Sequence, residues 1–471
     1  MVGRKEEQRL LNELAMSAEA EFVVVYGRRR IGKTYLVRET FGNDFFFSYT
    51  GVANRSARQQ RTEFAKSLRE HGWNPSDGGV GVTADWFECF DALRSLIEKA
   101  SATDRLLIFI DEMQWMDNKK SDFVPAFENF WNGWASGQKH IMLIVCGSAT
   151  SWITKKIFRN KGGLYNRATR QIALKPFTLA ECKEYFSGRG VAMNTQDLIE
   201  SYMIFGGIPY YLRMVEKRYS LALNVDRICF EEQAPLRHEF DRLMDTLFTN
   251  PAKHVQVLEA LHKKKQGLTR EAIAGFVDFG NGGNLTRILL ELEECSFIRK
   301  YQPFGKGKNL ALYRLSDPFT AFHLAFIRKA DSENYWSSYT DNAGHRAWAG
   351  YAFEQVCLAH IKQVKQALGI SGVHTNVSSW VGRGDSTGAQ IDLVIERGDR
   401  VINLCEIKFA KGPFEIDRAY DLALRGKIET FRNATKTRKA LHLTMITTYG
   451  VKPGKYAGIV QSEVNMDELI D

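Results

Sequence analysis

The sequence predicts an α/β chain of several domains. A parallel sheet interleaved with helices comes first, then a helical segment, a small helix-and-hairpin unit and a mixed α/β segment. Three observations carry this. Over residues 21–174 short β-rich runs alternate with helix-like stretches, the pattern of strand–helix–strand units around a parallel sheet. Inside that region an apolar run, Phe22-Val23-Val24-Val25-Tyr26, leads straight into a glycine-bearing loop and a helix-like stretch. After Pro176 the periodicity turns helical, and paired β-rich runs return only near residues 297–315 and 391–408. At 471 residues the chain exceeds one ordinary core, and roughly three domains of ~150 residues are expected.

Taken in order, strands are expected at residues 22–26, 45–49, 106–110, 141–146 and 170–174, forming a core over residues 1–175. Residues 176–250 read as a helical lid, opened by Thr178 as N-cap with Glu181 three residues on, a capping box. Residues 251–330 read helix, turn, helix, hairpin. Thr269 caps one helix, the Gly280-Asn281-Gly282-Gly283 turn precedes a helix over 284–295 with Leu285, Ile288, Leu289 and Leu292 on one face, and a Gly305/Gly307 loop joins two strands. That order is a winged helix. Residues 344–471 are a mixed α/β segment.

Composition sets limits. Hydrophobic residues make up 44% and charged residues 25%, as in a water-soluble globular chain. The longest apolar runs are strand-sized, short of the ~20 residues a membrane helix needs. The start, Met1-Val2-Gly3-Arg4-Lys5-Glu6-Glu7, turns acidic where a signal peptide would be apolar, so a cytoplasmic protein with no membrane partner is expected. Seven scattered cysteines without a Cys-x-x-Cys pair read as reduced, mostly buried thiols. A net charge of +9 is compatible with a nucleic-acid partner and equally with solubility alone.

Gly27-Arg28-Arg29-Arg30-Ile31-Gly32-Lys33-Thr34 fits G-x-x-x-x-G-K-[ST] between an apolar strand and a helix, the setting of a phosphate-binding P-loop. Its N–H groups and the helix N-terminus would face phosphate oxygens, with Lys33 on the β- and γ-phosphates and Thr34 on Mg²⁺. Leu106-Leu107-Ile108-Phe109-Ile110 ends in Asp111-Glu112, the Walker B pattern. Asp111 would hold Mg²⁺ and Glu112 would act as general base toward the attacking water. Ser148 or Thr150, after the strand at 141–146, suits a γ-phosphate sensor or an ordinary turn. The ligands expected are therefore ATP and Mg²⁺.

Tyr26–Thr34, Ile110-Asp111-Glu112-Met113-Gln114-Trp115 and Gly206-Gly207-Ile208-Pro209-Tyr210-Tyr211-Leu212 together resemble the prokaryotic "archaeal ATPase" family of the signal-transduction (STAND) class of AAA+ ATPases. The resemblance implies a lid and then a winged helix after the core. It also implies that Leu164-Tyr165-Asn166-Arg167 lies near the nucleotide, with Arg167 a charge-stabilising residue; many family members carry glycine where Asn166 stands.

Ile391-Asp392-Leu393-Val394-Ile395-Glu396 and Val401-Ile402-Asn403-Leu404-Cys405-Glu406-Ile407-Lys408 read as two strands around an Arg397-Gly398-Asp399-Arg400 turn. Asp392 and Glu406 then face each other, and Glu406 and Lys408, two apart, share a face. Such a set binds Mg²⁺ or Mn²⁺ and activates water for phosphodiester cleavage. It resembles the PD-(D/E)-x-K nuclease superfamily, with Ile391 in place of the proline and Glu354, on a preceding helix, as a further metal carboxylate. Arg418, Arg425, Lys427, Arg432, Lys436, Arg438 and Lys439 make the segment after it basic. In the winged helix, Asn284, Thr286 and Arg287 suit contact with nucleic acid, whereas Glu291, Glu293 and Glu294 oppose it. The leading expectation is an ATPase coupled to a nuclease-like domain acting on nucleic acid. The alternative is a regulatory ATPase switch whose C-terminal domain binds DNA or a protein partner, or self-associates, without cleavage.

Overall fold

The computed structural model describes every residue except 76–82, 102–103, 119–120, 149, 159–162, 306–309, 339–342, 383–388 and 471, and leaves out the side chains of Thr150 and Ser151. Two compact units result, Met1–Lys175 and Pro176–Asp471.

In the first unit, β1 (Glu21–Tyr26), β2 (Phe47–Thr50), β3 (Leu106–Asp111), β4 (Ile141–Gly147) and β5 (Arg170–Ala173) form one sheet in the order β2-β3-β4-β1-β5. Every pairing is parallel. All seven residues of β4 are buried, as a central strand covered on both faces requires. One flank is an aromatic core built from Phe64, Trp86, Phe90, Phe123, Phe127, Phe130 and Trp131. Some of its rings meet edge-on, as Trp86 and Phe123 do with centroids 4.9 Å apart at 73°, and others stack, as Phe90 and Phe130 do at 25°. Each such ring contributes about 1.5–3 kcal/mol through burial. The expected strand at 45–49 lies two residues later, because Gly42 and Asn43 take left-handed φ values of 61° and 59° after the helix Lys33–Phe41. The chain therefore joins the ladder only at Phe47, opposite Ile108, while Phe45 stacks on Phe109.

The register puts the functional loops side by side. Tyr26 pairs with Gly147 and Ile110 with Val145, so β1, β3 and β4 end together and release Gly27, Glu112 and Ser148 at one sheet edge.

In the second unit Thr178 and Glu181 make the expected capping box on the helix Leu179–Gly188. Further on, β6 (Leu268–Thr269), β7 (Ile298–Tyr301) and β8 (Leu312–Leu315) form a small antiparallel sheet in the order β6-β8-β7. The helix Gly283–Glu294 buries Leu285, Ile288, Leu289 and Leu292 as its periodicity demands. Glu291, read from the sequence as opposing contact with nucleic acid, is buried as well: it accepts from Arg287 and meets His254 Nε2 at 3.0 Å. Gly307, placed in a hairpin loop by the sequence, lies outside the described residues, as does the Thr150 side chain.

The last sheet runs β13-β12-β11-β10-β9, from β9 (Thr375–Gly382), β10 (Ala389–Arg397), β11 (Val401–Lys408), β12 (Ala440–Thr447) and β13 (Ser462–Val464). Pairings β9–β10–β11 are antiparallel and β11–β12–β13 parallel. The helix Arg418–Thr435 makes the crossover that parallel strands β11 and β12 need. All seven cysteines are buried. Among the described residues no helix is long and apolar enough to cross a membrane.

Candidate functional site

Gly27 has φ +143°, and a Cβ there would lie 2.4 Å from the Leu174 carbonyl oxygen, so the residue after β1 must be glycine. Arg30 and Gly32 are left-handed at φ 73° and 87°, which curls the loop. The helix Lys33–Phe41 starts at Gly32 with no side-chain cap, leaving first-turn N–H groups for an anion. Lys33 is buried, and its Nζ donates to the carbonyls of Gly27 at 3.1 Å and Arg28 at 2.9 Å, across the loop. Burial lowers its pKa, opposed by the charges of Glu112 and Asp111. Ile31 anchors the loop from within the core, while Arg29 stays half-buried.

The acidic partner stands at the end of β3. Thr34 Oγ1 donates to Asp111 Oδ2 at 2.7 Å. Burial raises the Asp111 pKa, and Thr34 only partly offsets it. A hydroxyl and a desolvated carboxylate this close suit a magnesium ion shared with phosphate, and these two residues would hold it. Glu112 adopts φ 49°, a strained value for a non-glycine residue. Its Oε2 accepts from Ser148 Oγ at 2.8 Å and from Gln114 Nε2. Gln114 also donates to Ser148 Oγ at 3.2 Å. Ser148 thus stands between the P-loop and the Walker B strand because β4 does. Gln114 stands in the Ile110–Trp115 motif, but no role for it is legible in the sequence, although it lies two residues after Glu112. Arg167 is exposed. Asn166 before it has φ 57°, the conformation that glycine adopts freely and asparagine tolerates.

The second cluster lies on the last sheet. Leu393 pairs with Cys405, one residue short of Asp392 and Glu406 on their strands, and β10 is irregular against β9 between Ile391 and Val394. Glu406 is buried and densely held: Lys427 Nζ donates to both its oxygens at 2.9 and 2.8 Å, Lys408 Nζ lies 3.0 Å from Oε1, and Tyr420 donates at 3.0 Å. Burial acts to raise its pKa, but Lys408 and Lys427 outweigh it and hold the carboxyl below its ordinary value. Asp392 has weaker partners, Gln390 Nε2 at 3.3 Å and the Ile407 N–H at 3.5 Å. Burial, and then the charge of Glu406, raises its pKa.

Glu354 lies on the helix Ala343–Ala359 and is bonded to buried Arg314 of β8. Burial, with the charges of Asp392 and Glu406 adding to it, pushes its carboxyl up to about 7 even against Arg314. Among the described residues no three His, Cys, Asp or Glu side chains converge to hold one ion. Asp392 and Glu406 lie on neighbouring strands, but Glu354 does not complete a three-carboxylate cage. Of the basic residues after β11, Lys427 is bound to Glu406, Lys439 to Glu396 and Arg425 to Asp421. Arg418 and Arg432 lie exposed.

Comparison with known proteins agrees with the first of these sites. Residues 1–215 match the family described as an ATPase domain predominantly from Archaea. An uncharacterized protein of Methanocaldococcus jannaschii is 26% identical over all of this chain and 98% of its own length. Among solved structures, the Walker-type ATPase of Pyrococcus abyssi is 16% identical, covers 69% of this chain and 96% of its own, and superposes with a TM-score of 0.46. The ORC2 protein of Aeropyrum pernix, solved with ADPNP and ADP, is 15% identical, covers 72% and 96%, and gives 0.42. The residues that match this ATPase family model include both the P-loop and the Walker B strand.

Proposed function

We propose that the chain couples its ATP-bound state to a nuclease-like C-terminal domain acting on nucleic acid. On this reading Lys33 exchanges the Gly27 and Arg28 carbonyls for phosphate oxygens when ATP enters, and Thr34 and Asp111 hold the magnesium ion that neutralises phosphate charge. Glu112, aimed by Ser148 and Gln114, takes a proton from the attacking water. The helical lid and the winged helix of residues 251–330 carry the change onward. What supports the C-terminal assignment is one observation: Asp392 and Glu406 lie on neighbouring paired strands, each one residue beyond the Leu393–Cys405 pair, with Lys408 two residues on and 3.0 Å from Glu406. Two neighbouring carboxylates and a lysine suit a divalent ion and a phosphodiester.

A second reading has its own support. Both Glu406 oxygens are taken by Lys427, an arrangement that suits a regulatory switch whose C-terminal domain grips nucleic acid or a protein partner without cutting. The test is incubation of the full chain with labelled single- and double-stranded DNA and RNA, with Mg²⁺ or Mn²⁺, with and without ATP, beside Lys33→Ala and Asp392→Ala. Cleavage lost in Asp392→Ala and altered in Lys33→Ala is expected. Binding without cleavage, while ATP is still turned over, would replace the nuclease reading with the switch.

A further inference from the structure

The helix carrying Glu354 is gripped along one face by the small three-stranded sheet and its approach. Lys265 Nζ donates to the Ala347 carbonyl at 3.1 Å, Tyr351 Oη donates to the Leu315 carbonyl at 2.8 Å, Arg314 pairs with Glu354, and Arg299 Nη1 donates to the Leu358 carbonyl at 3.0 Å. Positions 347, 351, 354 and 358 recur every three or four residues, a single stripe of an α-helix. Within this stripe Glu354 supplies the carboxylate, and Arg314 meets it from the central strand β8. The guanidinium is fixed on its other sides, since Arg314 Nε donates to the Gln266 carbonyl at 3.1 Å and its plane lies 4.8 Å from the Tyr301 ring. Tyr301 Oη donates to the same Gln266 carbonyl at 2.6 Å. Gly267 leaves the room for this, because a Cβ there would come within 2.9 Å of Arg314 Cγ. The clasp is thus braced by the three-stranded unit, while the helix that presents the carboxylate packs against β11, the strand of Glu406.

We propose that Arg314 is a positioning residue which withholds Glu354 from the Asp392–Glu406 pair, so that the seating of the three-stranded unit on this helix sets how strongly the pair binds a divalent cation. The inference rests on the reading of Asp392 and Glu406 as a cation site. In the clasped state Glu354 is neutralised by Arg314 and adds little to that site. When the three-stranded unit shifts along the helix, the ion pair opens and the site gains a third carboxylate. A buried pair of this kind is a weak source of stability and a well-attested device for fixing one of two arrangements.

The experiment is calorimetric titration of Mn²⁺ into the full chain without nucleotide or nucleic acid, taking as the site's signal the binding that Asp392→Ala removes. Arg314→Met, which keeps much of the volume and deletes the charge, is expected to tighten that binding about 10- to 100-fold, the span over which neighbouring groups tune metal affinity. The gain should vanish in Arg314→Met/Glu354→Gln, a coupling that mere damage to packing would not produce. Unchanged or weaker Asp392-dependent binding in Arg314→Met would overturn the proposal and leave the pair a structural tie. Mn²⁺ binding that ignores Asp392→Ala in every background would instead remove the cation site itself, and the clasp with it. Should Arg314→Met fail to fold, Arg314→Lys keeps a cation but not the fork of donors. A smaller gain in the same direction is then expected, and a loss refutes the clasp.

Discussion

Two P-loop glycines are required for different reasons, and replacing each by alanine separates them. At Gly27 an added Cβ meets the Leu174 carbonyl oxygen at 2.4 Å and Ile31 Cδ1 at 2.8 Å, on a backbone at φ +143°. The oxygen belongs to a main chain tied to β1, since the Leu174 N–H donates to the Tyr26 carbonyl at 2.8 Å. It cannot rotate away. Backbone strain of about 1–3 kcal/mol then adds to an overpacking cost of about 1–3 kcal/mol. At Gly32 a Cβ meets nothing nearer than the Tyr35 Cβ at 4.0 Å, so the left-handed φ alone counts, about 1–2 kcal/mol. Gly27→Ala should therefore lose more local stability than Gly32→Ala. Amide hydrogen exchange of Val23 to Tyr26 in the full chain reads this, because a displaced loop unzips the end of β1 first. ATP affinity in Gly27→Ala should fall as well, about tenfold for each 1.4 kcal/mol of distortion carried into the loop. Equal exchange in the two variants would refute the argument that the Leu174 carbonyl dictates glycine at position 27.

Three further outcomes follow from the geometry. Glu112→Gln should lower ATP turnover by about 10²–10⁴-fold while equilibrium ATP binding is kept; binding lost in parallel with turnover would assign Glu112 to the fold of the loop instead. Lys427→Met removes two hydrogen bonds to buried Glu406 and should cost about 1–3 kcal/mol in denaturant unfolding at pH 7. Because the Glu406 pKa is held low, its contribution is present above the ordinary carboxylate value and lost as pH falls, so the cost of Lys427→Met should shrink in acid. His323 is stacked on Phe240, and burial, with Arg328 and His238 adding to it, lowers its pKa from 6.5 to about 4. A depressed histidine gives stability that is whole above pH 6.5 and lost as pH falls toward 4, amounting to about 3 kcal/mol at 1.36 kcal/mol per unit. Unfolding of His323→Phe followed from pH 7 to 4 should show a flatter decline than that of the native chain.

What could be read ahead of the structure was whatever lies close along the chain. The P-loop is contiguous, and the Walker B acids end the strand that names them, so strand, loop and helix propensity agree over a few residues. Asp392, Glu406 and Lys408 were readable because the side-chain period of a strand is two and a four-residue turn joins the runs. The long-range partners were not. Lys427 and Tyr420 reach Glu406 only because a crossover helix lies over β11, and Arg314 meets Glu354 from 40 residues away in sequence. The burial of Glu291 was not legible either, because its partner His254 stands 37 residues earlier. The strand over 45–49 was misplaced because an apolar run carries no mark of the left-handed turn just before it.

The two clusters differ in how their charges are settled, and the difference orders their affinities. At the P-loop, Lys33 and Asp111 are both shifted toward their neutral forms by burial. Lys33 is bound to carbonyl oxygens that carry no formal charge. Phosphate and its metal ion therefore meet groups whose charged forms burial disfavours, and break no salt bridge of comparable strength. At the C-terminal cluster Glu406 is already neutralised by two lysines and Glu354 by an arginine, so a divalent cation that has reached Asp392 must displace an internal cation before it gains a second carboxylate. Displacing one buried partner costs on the order of the pair's own interaction. Nucleotide with magnesium should thus saturate its site at concentrations of free metal where Asp392-dependent binding of Mn²⁺ alone is still incomplete. Titrations of the two sites in the same preparation, distinguished by Lys33→Ala and Asp392→Ala, measure the gap directly. A C-terminal site that fills first would mean that Lys427 and Arg314 give way more easily than their contacts indicate.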